Sequence, residues 1–249
     1  MDSGPRWKRI LLKVSGEAFS GEASPGVGGG VIDSERIGRL AAEIVAAHEL
    51  GTEIAIVNGG GNILRGAKTR IEGLGRATAD YMGMMATIIN ALALQDVLES
   101  RGAQTRVLSA LEIKTVAEPY IRRRCMRHLE RGRIVILAGG SGHPFFTTDT
   151  TAALRGTEIG ADVLLKGTKV DGVYDKDPKR YPDARRFERI SFEDVYRLRL
   201  GVMDRTAITM CIENELPIVV FDMDVPGNLC GVLRGETIGT RVGTGEETK

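Results

Sequence analysis

Short apolar runs alternate along the chain with longer segments in which apolar residues recur every three or four positions. The runs are typical of buried β-strands and the periodic segments of helices. Predicted strands cover 9–14, 53–58, about 104–108, 133–138, 161–166 and 217–221. Predicted helices run from Asp33 or Ser34 to about 49, and over 81–99, about 120–131, 147–158, 204–215 and 227–233. Glycine, serine and proline predict a loop at 20–31 and turns or a hairpin at 170–190.

The regular exchange of strand and helix indicates the fold class. Strands joined through helices form right-handed crossovers and a mainly parallel sheet, which helices must cover on both faces. We therefore predict an α/β fold, a three-layer αβα sandwich with a mainly parallel central sheet. The chain has 249 residues, and no internal repeat or Pro- or Ser-rich linker divides it. We expect a single domain over 1–249.

The predicted helix 81–99 differs from the others because apolar residues surround most of its circumference, so we expect it to be buried. These residues are Met82, Met84, Met85, Ile88, Ile89, Leu92, Leu94 and Leu98. One sheet face covers only part of such a helix, so the remainder is predicted to contact another subunit, or alternatively a loop of the same chain. Asn90, Gln95 and Asp96 are expected to make the segment too polar to span a bilayer.

Composition argues against several classes of protein. The chain has 34 basic and 33 acidic residues and a net charge of +1, which is unlike a nucleic-acid-binding protein. The arginines between 122 and 133 are interpreted as a solvated helix face, with a regulatory anion or nucleic-acid site as the alternative. Cys125, Cys211 and Cys230 are odd in number and far apart, which favours free thiols in a reducing cytoplasm. No CxxC or HExxH pattern is present, so a zinc site is not expected, and the first residues lack an apolar segment, so they are not expected to be a signal peptide.

Three predicted strands end in glycine-containing turns. The turns are Ser15-Gly-Glu17, Gly59-Gly-Gly-Asn62 and Gly139-Gly-Ser-Gly-His143. Glycine lets backbone N–H groups approach an anion without a Cβ clash, and the carboxyl ends of parallel strands meet at one edge. We therefore predict one anion-binding crevice. The chain contains no Walker A loop and no GxGxxG segment, so these turns would bind phosphate in another way.

Four segments occur together in a fixed order. They are Lys13-Val-Ser-Gly-Glu17, Gly59-Gly-Gly-Asn62 followed by Arg65-Gly66, Pro144-Phe-Phe-Thr-Thr-Asp149, and Lys169-Val-Asp-Gly-Val-Tyr174 followed by Asp177-Pro178. This set resembles the bacterial-type uridylate kinases (UMP kinases) of the amino acid kinase superfamily, over about residues 8–242. The resemblance implies transfer of the γ-phosphoryl group from ATP to UMP, giving UDP without a covalent intermediate. Mg²⁺ would be carried by the nucleotide phosphates, with no metal-binding side chain.

The resemblance also implies the site residues, position by position. The catalytic residues would be Lys13, Asp149 and Arg65. ATP would contact Lys13, Val14, Ser15, Gly16, Gly61, Arg65, Thr168, Tyr174 and Asp177. UMP would contact Gly60, Asp80, Gly140, Ser141, Gly142, His143, Pro144, Phe145, Phe146 and Thr147. The UMP-binding part would span roughly 1–165 and the ATP-binding part roughly 166–249.

Each of these assignments has a physical reason and a structural alternative. Lys13 ends a strand, where its charge would stabilise a transferred phosphoryl group, or it is a lysine at the rim of the sheet. Gly60 and Gly61 would present N–H groups at a helix N-terminus, or form a plain tight turn. Arg65 would clamp phosphate oxygens, or form a surface salt bridge. Tyr174 would contact the adenine nucleotide, or be an ordinary hairpin aromatic.

Each acidic residue likewise has a functional role and a structural alternative. Asp149 would orient the catalytic lysine, and it or Thr148 would cap the following helix; both roles are compatible. Asp80, placed just before the helix 81–99, would accept hydrogen bonds from the UMP ribose, or be an acid favoured by the helix dipole. Phe145 and Phe146 would form an apolar wall of the UMP pocket.

Three features depart from the family pattern. His143 stands where many relatives carry Asn or another polar residue, and we interpret it as a neutral hydrogen-bonding group rather than a base. The loop Gly21–Gly30 is long and glycine-rich, in a region that contributes to effector response in the family. The segment 201–204 lacks the late lysine of carboxylate-phosphorylating relatives. Lys166 or Lys169 would then supply a second positive charge, and the sequence does not decide between them.

Assembly and regulation follow from the same resemblance. It implies a homohexamer built from dimers, inhibition by UTP in the UMP pocket, and activation by GTP near the cluster 122–127. Two other functions remain as alternatives: a kinase of the superfamily acting on a carboxylate such as glutamate or aspartate, and a non-catalytic nucleotide-sensing regulator on the same fold.

Overall fold

The computed structural model describes residues 4–21, 31–64 and 71–245. Its strands are β1 (Arg9–Val14), β2 (Glu53–Asn58), β3 (Thr105–Ser109), β4 (Glu118–Pro119), β5 (Ile134–Ala138), β6 (Val163–Thr168), β7 (Arg189–Ser191), β8 (Ile218–Asp222) and β9 (Thr240–Gly243). Its helices are α1 (Ser34–Glu49), α2 (Arg76–Glu99), α3 (Arg122–Glu130), α4 (Thr148–Ile159), α5 (Phe192–Arg197), α6 (Arg205–Glu213) and α7 (Asn228–Arg234), with a short 3-10 helix at Gly16–Ala18.

The strands form one sheet in the order β4-β3-β5-β2-β1-β6-β8-β9-β7. Among the described pairings between these nine strands, only that of β8 with β9 is antiparallel. β1 lies in the middle, where Lys13 pairs with Val57 of β2 on one side and Lys166 of β6 on the other. The carboxyl ends of β1, β2, β5 and β6 therefore meet at one edge of the sheet. The predicted fold class is confirmed.

Helices on the two faces of the sheet create two hydrophobic cores. Ile10, Leu12 and Val14 of β1 pack on the side of α1, α2 and α7. Leu11 packs on the opposite side, with α3, α4, α5 and α6. All four side chains are fully buried, and each contributes roughly 1.5–3 kcal/mol by leaving water. A strand buried on both faces must be apolar at nearly every position, which explains the continuous runs in the sequence.

Helix α1 begins and ends as predicted. The Asp33 carboxylate accepts a hydrogen bond of 2.9 Å from the Arg36 N–H and so caps the helix. The chain leaves the helix through Gly51, whose φ of +92° favours glycine.

The cap of α4 differs from the prediction. The Thr147 hydroxyl accepts hydrogen bonds from the N–H groups of Asp149 and Thr150, at 3.1 and 3.2 Å. The prediction of a cap at Thr148 or Asp149 was wrong, because Thr147 already satisfies these N–H groups. The Asp149 carboxylate is thereby left for another partner.

Helix α2 begins at Arg76, five residues earlier than predicted, after Gly75 in an extended conformation. Asp80 consequently lies inside the helix and not before it. The sheet covers only part of α2, as expected, and one face is open in the single chain; contact of that face with another subunit stays a prediction. That face consists of Tyr81, Met82, Met85 and Ile89, which are between 39% and 48% exposed.

By length and composition, α2 is the one helix of the described ranges apolar enough to cross a membrane, with a mean hydropathy of 1.3. The prediction that this segment is too polar was therefore wrong as a statement of composition. One side of the helix packs in the core, where Asn90 is fully buried and hydrogen-bonded, and 44% of the apolar window is buried.

The strands β4, β7 and β9 and the helix α5 were missed, because two to six residues are too few for a periodic pattern. The segment 170–190 contains turns and an isolated antiparallel bridge between Tyr174 and Arg186, in agreement with the predicted excursion. The three cysteines are buried and free.

Candidate active site

Two cavities open at the carboxyl edge of the sheet. The β1 cavity, of about 430 Å³, is lined by residues between Lys13 and Thr151, from the turns after β1, β2 and β5 and from α2 and α4. The β6 cavity, of about 470 Å³, is lined by residues between Lys166 and Val220, including the turns at 170–178 and the segment 198–202. Each volume suits one small organic ligand.

A lysine–aspartate–lysine bridge joins the two cavities. Lys13 Nζ lies 2.9 Å from Asp149 Oδ1, and Lys166 Nζ lies 2.9 Å from Asp149 Oδ2. Lys166 also donates to the Val202 carbonyl. Lys13 lines the β1 cavity and Lys166 lines the β6 cavity. One carboxylate therefore fixes an ammonium group at each cavity.

The charges of the bridge determine its chemistry. Burial acts to raise the pKa of Asp149, but the neighbouring charges of Lys13 and Lys166 outweigh it and hold the pKa below its ordinary value. Burial lowers the pKa of Lys166, and Asp149 works against that change. An aspartate that is ionised and bound through both oxygens is a poor proton acceptor. Asp149 is suited to orienting the two lysines.

The turns after β1 and β2 pack so closely that they require glycine. A Cβ atom on Gly16 would lie 2.5 Å from the Gly61 nitrogen, and one on Gly60 would lie 2.7 Å from Ala86 Cβ of α2. The Gly60 carbonyl accepts a hydrogen bond of 3.0 Å from the Leu64 N–H. The Ile63 N–H donates to the same carbonyl at 3.0 Å, so residues 61–63 form a hydrogen-bonded turn. Residues 65–70, which would continue a helix, lie outside the described ranges, so the helix N-terminus stays a prediction. Any N–H groups offered to an anion come from that turn.

The β1 cavity collects most of the residues predicted to bind UMP. Those that line it are Gly60, Asp80, Gly140, Ser141, His143, Phe146 and Thr147. Gly142, Pro144 and Phe145 are not among its lining residues. Of the expected apolar wall, only Phe146 lines the cavity, and the Phe145 side chain is 67% exposed.

Asp80 has two partners in the structure. Arg76 Nε lies 2.9 Å from each carboxylate oxygen, and the Phe145 N–H donates to Oδ2 over 2.9 Å. Phe145 has a φ of 72°, which is uncommon for a residue with a Cβ atom. Asp80 thus ties α2 to the loop between β5 and α4. Arg76 was not predicted as a site residue, although its spacing of four residues from Asp80 on a helix was the available signal.

The predicted ATP contacts divide between the cavities. Ser15, Gly16 and Gly61 line the β1 cavity with Lys13, whereas Thr168, Tyr174 and Asp177 line the β6 cavity. Val14 is fully buried in the sheet and lines neither. Of the two lysines proposed for the second positive charge, Lys166 contacts Asp149 and Lys169 is exposed, so the geometry favours Lys166.

Asp204 is a further residue that builds the site. Its carboxylate caps α6 by accepting from the Ala207 N–H at 2.9 Å, and it accepts from the hydroxyls of Thr150, at 2.9 Å, and Thr147. It therefore joins the N-termini of α4 and α6 beside Asp149. Asp204 was not predicted as a site residue, although it stands at the start of the predicted helix 204–215, where aspartate is a favoured cap.

Some predictions fall outside the described ranges. Arg65 and residues 22–30 of the glycine-rich loop are among them, so these stay predictions. Within residues 4–21, 31–64 and 71–245, no group of three or more His, Cys, Asp or Glu side chains is placed to hold a metal ion.

The sheet is mainly parallel, and its edge holds two cavities, each with a lysine that is ion-paired to Asp149. Phosphoryl transfer relies on positioning and on positive charge, so these features define an α/β phosphotransferase site. Residues 8–222 match the model of the amino acid kinase family. The chain belongs to this family.

Three solved structures are similar to the chain. A UMP kinase from Bacillus anthracis has 37% sequence identity and a TM-score of 0.92, covering 98% of this chain and 99% of that one. A UMP kinase from Ureaplasma parvum has 37% identity and a TM-score of 0.89, covering 96% and 100%. A uridylate kinase from Archaeoglobus fulgidus has 28% identity and a TM-score of 0.72, covering 94% and 99%. The resemblance inferred from the four sequence segments is confirmed.

Proposed function

We propose that the chain is a UMP kinase, which transfers the γ-phosphoryl group of ATP to UMP and releases UDP and ADP. The single observation that carries the proposal is the bridge in which Asp149 holds Lys13 at one cavity and Lys166 at the other, both at 2.9 Å. Two substrates in adjoining cavities would meet at these two positive charges. The UMP kinases named above, 37% identical over nearly the whole chain, support UMP as the acceptor.

The two cavities suggest where each substrate binds. The residues that line the β1 cavity all lie between positions 13 and 151, and those that line the β6 cavity all lie between 166 and 220. This separation supports a UMP-binding part at roughly 1–165 and an ATP-binding part at roughly 166–249. In this proposal UMP occupies the β1 cavity, ATP occupies the β6 cavity, and the γ-phosphoryl group lies between Lys13 and Lys166.

The proposed mechanism is direct transfer. A phosphate oxygen of UMP attacks the γ-phosphorus, the bond to the bridging oxygen of ADP breaks, and negative charge spreads over the transferred oxygens. Lys13 and Lys166 stabilise that charge, and Asp149 keeps both ammonium groups in place before the reaction begins. The phosphate of UMP is already ionised at neutral pH, so no general base is required. Arg65 is proposed as an additional phosphate clamp.

We further propose that Mg²⁺ enters with the nucleotide phosphates. Both Asp149 oxygens are bound by lysines, and the Asp204 carboxylate is bound by a helix N-terminus and two hydroxyls. These carboxylates are therefore poorly suited as metal ligands. The donor set agrees with a cation that is held chiefly by phosphate oxygens, where it would neutralise part of the charge on ATP.

The two alternative functions are less well supported. A kinase for glutamate or aspartate is disfavoured by the similarity to UMP kinases and by the segment 201–204, where Asp204 builds the site in place of a lysine. A non-catalytic regulator is disfavoured by the complete bridge of Lys13, Asp149 and Lys166, which a protein that only binds nucleotides does not need.

A coupled assay of ADP release with UMP, CMP and glutamate as acceptors tests the proposed function. UMP should be the preferred acceptor, because a pocket that pairs with the uracil edge leaves polar groups unpaired with cytosine. That mismatch should lower kcat/KM for CMP on the order of 10²-fold or more. Comparable turnover of UMP and CMP would contradict the assignment, and turnover of glutamate alone would favour the carboxylate kinase.

We propose a homohexamer assembled from dimers, with the open face of α2 as one contact. Tyr81, Met82, Met85 and Ile89 are each at least 39% exposed, and a contiguous apolar surface of this kind marks an interaction site. UTP is proposed to inhibit by competing in the UMP pocket, and GTP to activate near the arginines of α3. The reaction would serve pyrimidine nucleotide biosynthesis in the cytoplasm, which agrees with three free buried cysteines.

A further inference from the structure

Helix α2 has a polar face opposite its open apolar face. Gly83, Thr87 and Asn90 follow one another at intervals of four and three residues, so they lie on one side of the helix. Thr87 is 3% exposed and Asn90 is fully buried. Polar side chains at such depth must find partners inside the protein. Their partners are the two glycine turns that line the β1 cavity.

Thr87 holds the turn after β5. Its hydroxyl donates to the Met84 carbonyl at 2.7 Å and accepts from the Gly139 N–H at 2.9 Å. Gly139 and Gly140 both adopt a left-handed conformation, with φ values of 76° and 58°. This hydrogen bond therefore fixes the first residue of a turn that leads directly into the loop 140–147.

Asn90 holds the turn after β2. Its side-chain NH₂ donates to the Gly59 carbonyl at 2.8 Å and to Asn62 Oδ1 at 2.7 Å, and Asn62 Nδ2 donates back to Asn90 Oδ1 at 3.0 Å. The two amides form a cyclic pair. Asn62 Nδ2 also donates to the Val31 carbonyl at 2.8 Å. Every donor and acceptor of the pair is used, which makes the arrangement rigid.

Backbone packing completes the attachment. The position of a Cβ atom on Gly60 would lie 2.9 Å from the Gly83 carbonyl oxygen and 2.9 Å from the Thr87 nitrogen. The turn after β2 thus rests directly on the backbone of α2. The same stretch of helix that bonds the turn after β5 also supports the turn after β2.

We propose that Thr87 and Asn90 are positioning residues that set the two glycine turns of the β1 cavity against each other. The proposal rests on the proposed function. Thr87 acts through Gly139 on the loop that would bind UMP. Asn90 acts through Gly59 and Asn62 on the turn beside Lys13, where the transferred phosphoryl group would lie. Neither side chain needs to take part in the chemistry.

The first test compares Thr87→Val with Thr87→Ser. Valine keeps the volume and leaves the Gly139 N–H without an acceptor, whereas serine keeps the hydroxyl. Loss of one buried hydrogen bond should raise the KM for UMP about tenfold in Thr87→Val, with the KM for ATP unchanged. Thr87→Ser should restore the KM for UMP. Thermal unfolding of both variants checks that each is folded.

The second test is Asn90→Leu, with Asn62→Ala as the companion variant should Asn90→Leu fail to fold. Freeing the turn after β2 should lower kcat about tenfold or more, with the KM for UMP changing less than twofold. The Thr87 variant should thus change the KM for UMP and the Asn90 variant should change kcat. Side chains that only stabilise the fold are not expected to give two different effects of this kind.

The outcomes separate the two proposals. A wild-type protein that does not phosphorylate UMP overturns the proposed function and this inference together. An active wild type in which Thr87→Val and Thr87→Ser have the same KM for UMP overturns the inference alone. The inference is also overturned when the Thr87 and Asn90 or Asn62 variants change kcat and both KM values in the same proportion.

Discussion

Lys13 and Lys166 occupy paired positions on neighbouring parallel strands. Paired residues in a parallel ladder point to the same face of the sheet, so both ammonium groups lie on one side. Leu11, two residues before Lys13, packs on that side together with residues of α4. Asp149 in the first turn of α4 is therefore placed to meet both lysines. The register of two central strands, rather than any loop, determines the separation of the two charges.

The first prediction concerns the second positive charge. Lys166→Ala should lower kcat by on the order of 10²-fold, because it removes a charge fixed beside the transferred group. Lys169→Ala is a matched control three residues later, on an exposed side chain, and should leave kcat within twofold of the wild type. Steady-state kinetics with ATP and UMP measure both. A larger loss of kcat in Lys169→Ala than in Lys166→Ala would show that Lys169, and not Lys166, supplies the second charge.

The second prediction concerns Lys13. Lys13→Ala should lower kcat by on the order of 10²-fold or more with little change in either KM, because its charge acts on the transition state. The exposed Lys8, just before the same strand, provides the control Lys8→Ala, which should behave like the wild type. A Lys13→Ala enzyme with normal kcat would remove Lys13 from the catalytic role.

The third prediction is a pH dependence of stability. The pKa of Asp149 in the folded protein is lower than in the unfolded chain. The carboxylate therefore contributes stability that is fully present above the unfolded-state pKa, near 4, and is lost as the pH falls through the lower folded-state pKa. Asp149→Asn removes this contribution and takes from two enclosed lysines the carboxylate that they share, at a cost of roughly 3–5 kcal/mol at pH 7.

Chemical denaturation between pH 7 and pH 2 measures that prediction. The difference in the free energy of unfolding between wild type and Asp149→Asn should be largest at neutral pH and shrink below about pH 4. Asp96→Asn, on the exposed side of α2, should follow the wild-type curve. A difference that is constant over the whole range would mean that Asp149 is not held ionised by its neighbours.

Much of the fold follows from the sequence because the central strands are buried on both faces. Most of their residues are apolar, and β1 and β2 are followed within two residues by a glycine turn. The local sequence therefore indicates where these two strands lie and which of their ends faces the crevice. The local sequence does not indicate that α2 begins at Arg76. Its first turn, from Arg76 to Asp80, is polar and packs against a loop more than sixty positions away through the Asp80–Phe145 hydrogen bond.

The residues of the candidate site likewise fall into two groups, those that the sequence predicts and those that only the structure reveals. Lys13 and Asp149 belong to segments whose residue order is distinctive, and the four segments together indicate the family. Thr87 and Asn90 lie in a stretch that looks like an apolar core helix, and nothing in the helical period marks them as partners of glycine turns. Their role depends on contacts between distant elements, which only the folded structure brings together.

The fourth prediction concerns substrate binding at Asp80. Asp80→Asn should mainly raise the KM for UMP, because it weakens the charged contact with Arg76 and removes a negative acceptor from the β1 cavity. The KM for ATP should stay unchanged, since Asp80 does not line the β6 cavity. Asp96→Asn on the same helix should change neither value. Equal increases in both KM values would indicate a general loss of structure instead of a role at the UMP pocket.

The fifth prediction concerns assembly and control. Ile89 is 48% exposed and Met85 is 45% exposed on the open face of α2, so a lysine there would bury a charge at the proposed contact, which is costly without a partner. Met85→Lys and Ile89→Lys should each reduce the molar mass measured by light scattering after size exclusion. Glu213→Lys, at the exposed end of α6, is the control and should leave the mass unchanged. A wild type that is monomeric at micromolar concentration would refute the assembly.

Initial rates at subsaturating UMP then test control of the assembled enzyme. UTP should raise the apparent KM for UMP without changing kcat, because it competes for one pocket. Activation by GTP needs a second site, so it should be lost in Ile89→Lys if the arginines of α3 act at a subunit junction, and retained if they act within one chain.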